Sequence, residues 1–185
     1  MLINVGVYTA LYFVVLAVGA SGKMGGPVFL IAGAIVAAVI NAAVIMLYLV
    51  KTPVFGAMTL LAVLIGGFMV IIHSWVVLPL IVGLGLVADI IVWAGKYRSR
   101  WANIFAYALF STWLVGPFLP VFFAARAYFD EMADHVSIEY AQEMEALFSP
   151  TMILGVMVLT FCLTTCAGWV GTRILEKHFA SSSLI

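Results

Sequence analysis

From Thr52 to Ala88 the chain runs for 37 residues without an Asp, Glu, Lys or Arg. Shorter stretches of the same kind cover residues 1–22, the 27 residues between Lys23 and Lys51, the 25 between Arg100 and Arg126, and the 27 between Glu145 and Arg173. A hydrocarbon core about 30 Å thick is crossed by about 20 apolar residues in a helix. Each shorter stretch therefore holds one crossing, and the longest holds two. Composition agrees: 9% of the 185 residues are charged and 66% are hydrophobic, whereas soluble domains carry about 25% charged residues. These charges cannot cover the surface of a water-soluble domain, so an integral membrane protein follows. With eight basic against eight acidic residues, nothing in the charge balance supports a nucleic-acid partner.

The longest stretch breaks at His73-Ser74, and its second half continues past Asp89 to Lys96. Six spans result, at about 3–20, 28–50, 54–72, 75–95, 101–124 and 150–172. The expected fold class is all-α: a polytopic membrane protein, a six-transmembrane-helix bundle with a short amphipathic outer-loop helix, in a single integral membrane domain over 1–185. Continuous rather than alternating apolar runs argue against a β-barrel. The first run has no basic region before it and is as long as a true span, so it reads as a span and not as a cleaved leader.

Lys and Arg set the expected orientation. With both termini in the cytoplasm of a prokaryotic cell, the inner connections hold Lys51, Lys96, Arg98, Arg100, Arg173 and Lys177, and the outer ones hold Lys23 and Arg126. That asymmetry obeys the positive-inside rule. The connections are short except 126–149, which collects Asp130, Glu131, Asp134, Glu139, Glu143 and Glu145; the tail Ser181-Ser182-Ser183 is polar. Met132, Val136 and Tyr140 recur every four residues with Leu147 on the same arc, while Glu139 and Glu143 flank that stripe. The pattern predicts a short amphipathic segment on the outer mouth of the bundle. It is either a lid over a binding site or a solvated loop joining two spans.

Motifs for enzyme chemistry are absent. Gly19-Ala-Ser-Gly-Lys23 imitates a phosphate loop, but Ala17 and Met24 stand where that loop needs Gly and Ser or Thr. No zinc helix, nucleophile elbow or other metal constellation occurs, so no catalytic residue, no metal ligand and no bound cofactor are expected. Cys162 and Cys166 share a face of the last span and read as small residues in a helix interface. Asp89, near the inner end of the fourth span, reads as paired with Lys96, Arg98 or Arg100, or as a coupling carboxylate. Trp75, Trp93 and Trp101 suit the interfacial aromatic belt.

Trp113 lies mid-span, where its indole N–H needs a partner away from water; Asn41, Ser111 and Thr112 are available. Pro117 and Pro120 follow it and deprive the Trp113 and Gly116 carbonyls of helical donors. A span broken in this way lines a cavity or is simply kinked. Phe118, Phe122, Phe123, Arg126 and Tyr128 lead from it to the acidic loop, and Arg126 suits either an anionic group on a ligand or Asp130 one turn on. Small residues mark Gly6 and Ala10 in the first span, and Gly33-Ala37 with Ala34-Ala38-Ala42 in the second. Such faces admit close approach of another helix, from this chain or from another membrane protein.

Several stretches resemble the substrate-binding S components of energy-coupling factor (ECF) transporters, in the Trep_Strep or MptD-like branch. They are Gly6-Val-Tyr-Thr-Ala-Leu-Tyr-Phe13, Gly83-Leu-Gly-Leu-Val-Ala-Asp-Ile-Ile91, Gly95-Lys-Tyr-Arg-Ser99, Ala106-Tyr-Ala-Leu-Phe-Ser-Thr-Trp-Leu-Val-Gly-Pro-Phe-Leu-Pro120 and Glu139-Tyr-Ala141. The resemblance implies an ABC importer subunit that binds a vitamin- or cofactor-like small molecule outside, while a transmembrane coupling protein and two ATPase subunits supply energy. It implies a coupling face at Gly6 and Ala10, where Gly replaces the first Ala of the family pattern; Ala34 and Ala38 extend that expectation to the second span. It places substrate binding among His73, Trp75, Trp113, Arg126, Tyr128 and His135. Haem is one candidate cargo, with His73 and His135 as iron ligands. An autonomous secondary transporter using Asp89, and a ligand-free membrane scaffold, are the alternatives.

Overall fold

Helices α1 (Leu2–Ala20), α2 (Pro27–Lys51), α3 (Ala57–Ile72), α4 (Val77–Ala94) and α5 (Arg100–Ser111) run back and forth. A 3₁₀ segment, Thr112–Phe118, extends α5. Two shorter helices, α6 (Val121–His135) and α7 (Ile138–Leu147), precede the long α8 (Pro150–Phe179). This computed structural model describes residues 2–73 and 75–179, without the side chains of residues 23, 24 and 175–179. Ser74, the Ser181-Ser182-Ser183 tail and the side chains of Lys23 and Lys177 therefore lie outside the described residues.

The described elements are all helical. Four helices are long and apolar enough to cross a membrane: Leu2–Ala20, Pro27–Lys51, Val77–Ala94 and Pro150–Ile174. The bent pair Arg100–Phe118 and Val121–His135 makes a fifth if counted as one span. The expectation of six full spans is thus met only in part. At 16 residues α3 is a shorter apolar helix, about 24 Å long at 1.5 Å per residue. The predicted fifth span, 101–124, is not one straight helix, because the chain tightens over Thr112–Phe118 and then turns by 52° into Val121–His135. Ser111 and Thr112 donate their hydroxyls to the carbonyls of Ala108 (2.8 Å) and Leu109 (2.7 Å), and Pro117 lacks an amide donor; both effects disfavour a continued α-helix. The Gly116 carbonyl is not left free, since it accepts the Leu119 N–H at 3.0 Å.

Several polar groups inside the apolar bundle find partners on other helices. The Trp113 indole N–H donates to the Tyr12 hydroxyl at 2.9 Å, so its partner is on α1 and is none of the three groups predicted. Asn41 donates to the Tyr12 carbonyl (3.2 Å), and the Tyr107 hydroxyl donates to the Ala38 carbonyl (2.6 Å). At the other end, the Asp89 carboxylate accepts the N–H groups of Met58 (3.0 Å) and Thr59 (2.8 Å) and the Thr59 hydroxyl (2.5 Å). Those amides belong to the first turn of α3, where backbone donors lack helical acceptors and the dipole favours a negative charge. The hydrogen bonds of Asp89 thus run to the neighbouring helix α3. The Tyr48 hydroxyl donates to the Ala57 carbonyl at 2.7 Å and fixes the same helix start.

Close approach of α1 and α2 depends on Gly19 and Gly33. A Cβ on either would collide with the other's carbonyl oxygen, so this pair, and not Gly6 with Ala10, forms the internal crossing. Cys162 and Cys166 both face outward, which corrects their assignment to a helix interface. The stripe predicted over 126–149 is cut in two. Ser137 accepts the Tyr140 N–H (3.1 Å) and starts α7 as a new helix, so Val136 faces outward.

Tyr12→Phe strands the buried Trp113 N–H, which costs about 1–3 kcal/mol. A lowered unfolding temperature in lipid nanodiscs is the expected result. An unchanged midpoint would show that this bond does not support the fold.

Candidate binding cavity

A small, partly open apolar cavity of ≈ 40 Å³ lies between α2, the 3₁₀ segment and the start of α8. Helical spacing explains each wall. Leu30, Ile31, Ala34 and Ile35 share one face of α2, and Ile153, Val156 and Thr160 share one face of α8. Leu114, Val115 and Phe118 project from the tightened end of the fifth span, and Phe148 projects from the α7–α8 junction. The break in the fifth span therefore places its side chains on a cavity, one of the two readings its prolines left open.

Helices α6 and α7 lie over this end of the bundle. Phe129 of α6 and Met144 of α7 are buried with Val115, Val121, Phe148 and Ile153 in one apolar cluster. Phe118 and Phe148 stack with ring centroids 4.2 Å apart and planes 24° apart, tying the broken span to the start of α8. Half-burial and, secondarily, Glu143 hold the Tyr140 phenol on α7 above its usual value, so this tyrosine stays neutral at physiological pH. The remaining acids of the cap point away from the apolar cluster.

One polar side chain lines the cavity. The Thr160 hydroxyl is buried and has no hydrogen-bond partner among the described residues. Threonines elsewhere on α8 behave differently: Thr164 donates to the Thr160 carbonyl (2.7 Å), Thr165 to Phe161 (2.7 Å) and Thr172 to Trp169 (2.9 Å). Burying an unpaired hydroxyl costs about 1–3 kcal/mol.

Of the residues expected to bind substrate, none lines this cavity. Trp113 is committed to Tyr12 and is 2% exposed. His73 and Trp75 are exposed at the α3–α4 turn, and His135 is exposed at the end of α6. The Arg126 guanidinium is exposed and faces Asp130 at 3.9 Å, a surface pair of little energetic weight. Tyr128 is half-buried, edge-on to Phe129 at 5.2 Å. Among the residues expected at a coupling face, Gly6 and Ala10 are exposed on α1, and a Cβ on Gly6 would meet nothing within 4 Å. Ala38 is instead buried beneath the Tyr107 hydroxyl, and Ala34 forms part of the cavity wall. The sequence reading missed Thr160 and Phe148. The only trace of Thr160 there is a polar residue in the middle of an apolar span.

These features define a polytopic integral membrane protein with a small apolar cavity between its helices. A family model described as a hypothetical bacterial integral membrane protein (Trep_Strep) matches residues 1–181, and the chain belongs to that family. No curated protein and no solved structure matches the chain.

Replacing the stranded hydroxyl by a methyl of equal size should help the empty protein. Thr160→Val is expected to raise its stability by about 1 kcal/mol, while Thr164→Val, which loses a buried 3.0 Å contact with Ser111, lowers it. Denaturation in nanodiscs decides, and a destabilised Thr160→Val would mean that the hydroxyl is already satisfied.

Proposed function

We propose that this protein is the solute-capture S component of an ECF-type importer. It binds a small solute at the cavity beneath α6 and α7 and works with a transmembrane coupling protein and two ATPase subunits. The observation that carries this reading is the apolar cavity, lined by α2, α8 and the end of a broken span and adjoining the apolar cluster that Phe129 and Met144 of the α6–α7 pair share with Val115, Phe148 and Ile153. Sites between packed membrane helices with a discontinuous span are a recurring place for solute binding. In this reading the termini are cytoplasmic and the α6–α7 cap faces outward, in line with the distribution of Lys and Arg. The chain itself carries out no catalysis.

Two further observations support the same reading. The Asp89 carboxylate, which an autonomous secondary transporter would need for its coupling ion, is occupied at the first turn of α3. The outward Gly6–Ala10 face of α1 is open for a partner helix, of the kind small residues serve. Haem fits the cavity poorly as a cargo. Its lining holds no histidine to meet iron and no cation to meet the propionates, so we favour a smaller solute.

Gly6→Leu with Ala10→Leu is the direct test. Exposed substitutions away from special features stay within about ±0.5 kcal/mol, so folding should be intact. Co-purification with the coupling protein and the ATPases, and uptake in cells, should both be lost. Retained assembly and uptake would remove the importer reading.

A further inference from the structure

We infer that the cargo is a neutral, flat, largely apolar molecule with a single hydrogen-bonding group, which meets the Thr160 hydroxyl after the Phe118–Phe148 stack parts. This inference rests on the solute-capture reading and specifies its cargo.

The lining supplies the argument. Apart from Thr160 every lining side chain is apolar, and none is charged. An ionised solute would be stripped of water there with nothing to compensate it. The Thr160 hydroxyl has no partner among the described residues, although three other threonines of α8 are satisfied by their own helix. A buried water is a poor answer. The volume of ≈ 40 Å³ suffices for one, but a water needs two to four polar partners, and among side chains the lining offers only this hydroxyl.

Flatness follows from the one stacked aromatic pair in the lining. Ligand pockets run to about 300–1,000 Å³, so the cavity must widen to admit cargo. Its walls on α2 and α8 belong to long helices of the bundle. Phe118 and Phe148 sit instead on a bent 3₁₀ end and on a helix junction. Their rings lie nearly parallel at 4.2 Å, and a planar solute entering between them keeps offset-stacked contact with both faces. A bulky saturated solute would forfeit that contact.

The test uses the full chain in phosphatidylcholine nanodiscs with three fluorinated probes followed by ¹⁹F saturation transfer. The probes are 4-fluorophenol and fluorobenzene, both neutral at pH 7, and anionic 4-fluorobenzoate. Ala34→Phe and Val156→Phe fill the cavity from two walls, so the signal lost in both variants is the cavity's own and separates it from partition into lipid. In the wild type, 4-fluorophenol should bind about tenfold more tightly than fluorobenzene, as one buried hydrogen bond allows, and 4-fluorobenzoate should give no cavity signal. Thr160→Val should bring 4-fluorophenol down to fluorobenzene and leave fluorobenzene unchanged.

The inference is overturned if the phenol preference survives in Thr160→Val, or if the benzoate binds as well as the phenol. It is also overturned if filling the cavity removes no signal, which would make the cavity a packing void. Either of the first two results alongside intact assembly with coupling subunits removes the cargo class and leaves the capture reading standing, whereas a packing void also removes the cavity as the place of capture. Thr160-dependent binding without such assembly supports the cavity chemistry and removes the importer.

Discussion

The hydrogen bond from the Trp113 indole to the Tyr12 hydroxyl sits where three parts of the molecule meet. Inside a bilayer no water can satisfy a stray donor, so each buried polar group must find its partner within the protein. Trp113 stands at the start of the tightened end of the fifth span, Tyr12 lies mid-way along α1, and the Tyr12 carbonyl takes the Asn41 amide of α2. One tyrosine thus receives a donor at each end of its residue. The relative placement of α1, α2 and the 3₁₀ segment is fixed by these two contacts and by the tight Gly19–Gly33 crossing. Leu114, Val115 and Phe118 of the same 3₁₀ segment line the cavity.

The same constraint governs the opposite end of the bundle, with a charge in place of neutral groups. Helix α3 begins at Gly56 in a left-handed conformation, and its first amides have no helical acceptors. Asp89 reaches across from α4 to take two of them. A carboxylate is costly in a membrane, but at this position it replaces several unsatisfied donors and complements the helix dipole. Helices α3 and α4 are therefore pinned at one end and joined by a short turn at the other. Neither contributes to the cavity wall. The cavity lies between α2, the fifth span and α8, away from this pinned hairpin.

Much of this was legible in the sequence, for identifiable reasons. Uncharged stretches locate helices because charge is excluded from the hydrocarbon region, so α1, α2, α4 and α8 fall close to the predicted spans. The break near Pro117 was visible because proline removes a donor wherever it stands. Partner identity was not legible. Trp113 and Tyr12 are far apart in the chain, and Asn41, Ser111 and Thr112 were equally plausible by depth alone. Thr160 escaped notice because threonine in an apolar helix normally donates to its own backbone, and only the packed structure reveals one that does not. Exposed residues at the α3–α4 turn and on α6 attracted attention as polar or aromatic groups near one end, a criterion that cannot distinguish a rim from a wall. The single stripe drawn over 132–147 failed at Ser137, whose preference for capping a new helix outweighed the spacing of apolar residues.

How the cavity opens follows from how its cover is held. Along α2, nine residues are buried, whereas α6 buries only Val121 and Phe129 and α7 only Ala141 and Met144. Local opening costs least where few apolar contacts are broken, so the cap yields before the walls. The chain already departs from helical geometry at Ala124 (φ −149°, ψ 48°), inside α6 and just beyond the prolines. Rotation about that point would lift the rest of α6, together with α7, as one amphipathic unit while the 3₁₀ segment stays anchored by Trp113. The cavity and its cover thus divide along the line set by the Trp113–Tyr12 bond, with the rigid polar anchor on one side and the sparsely buried helix pair on the other.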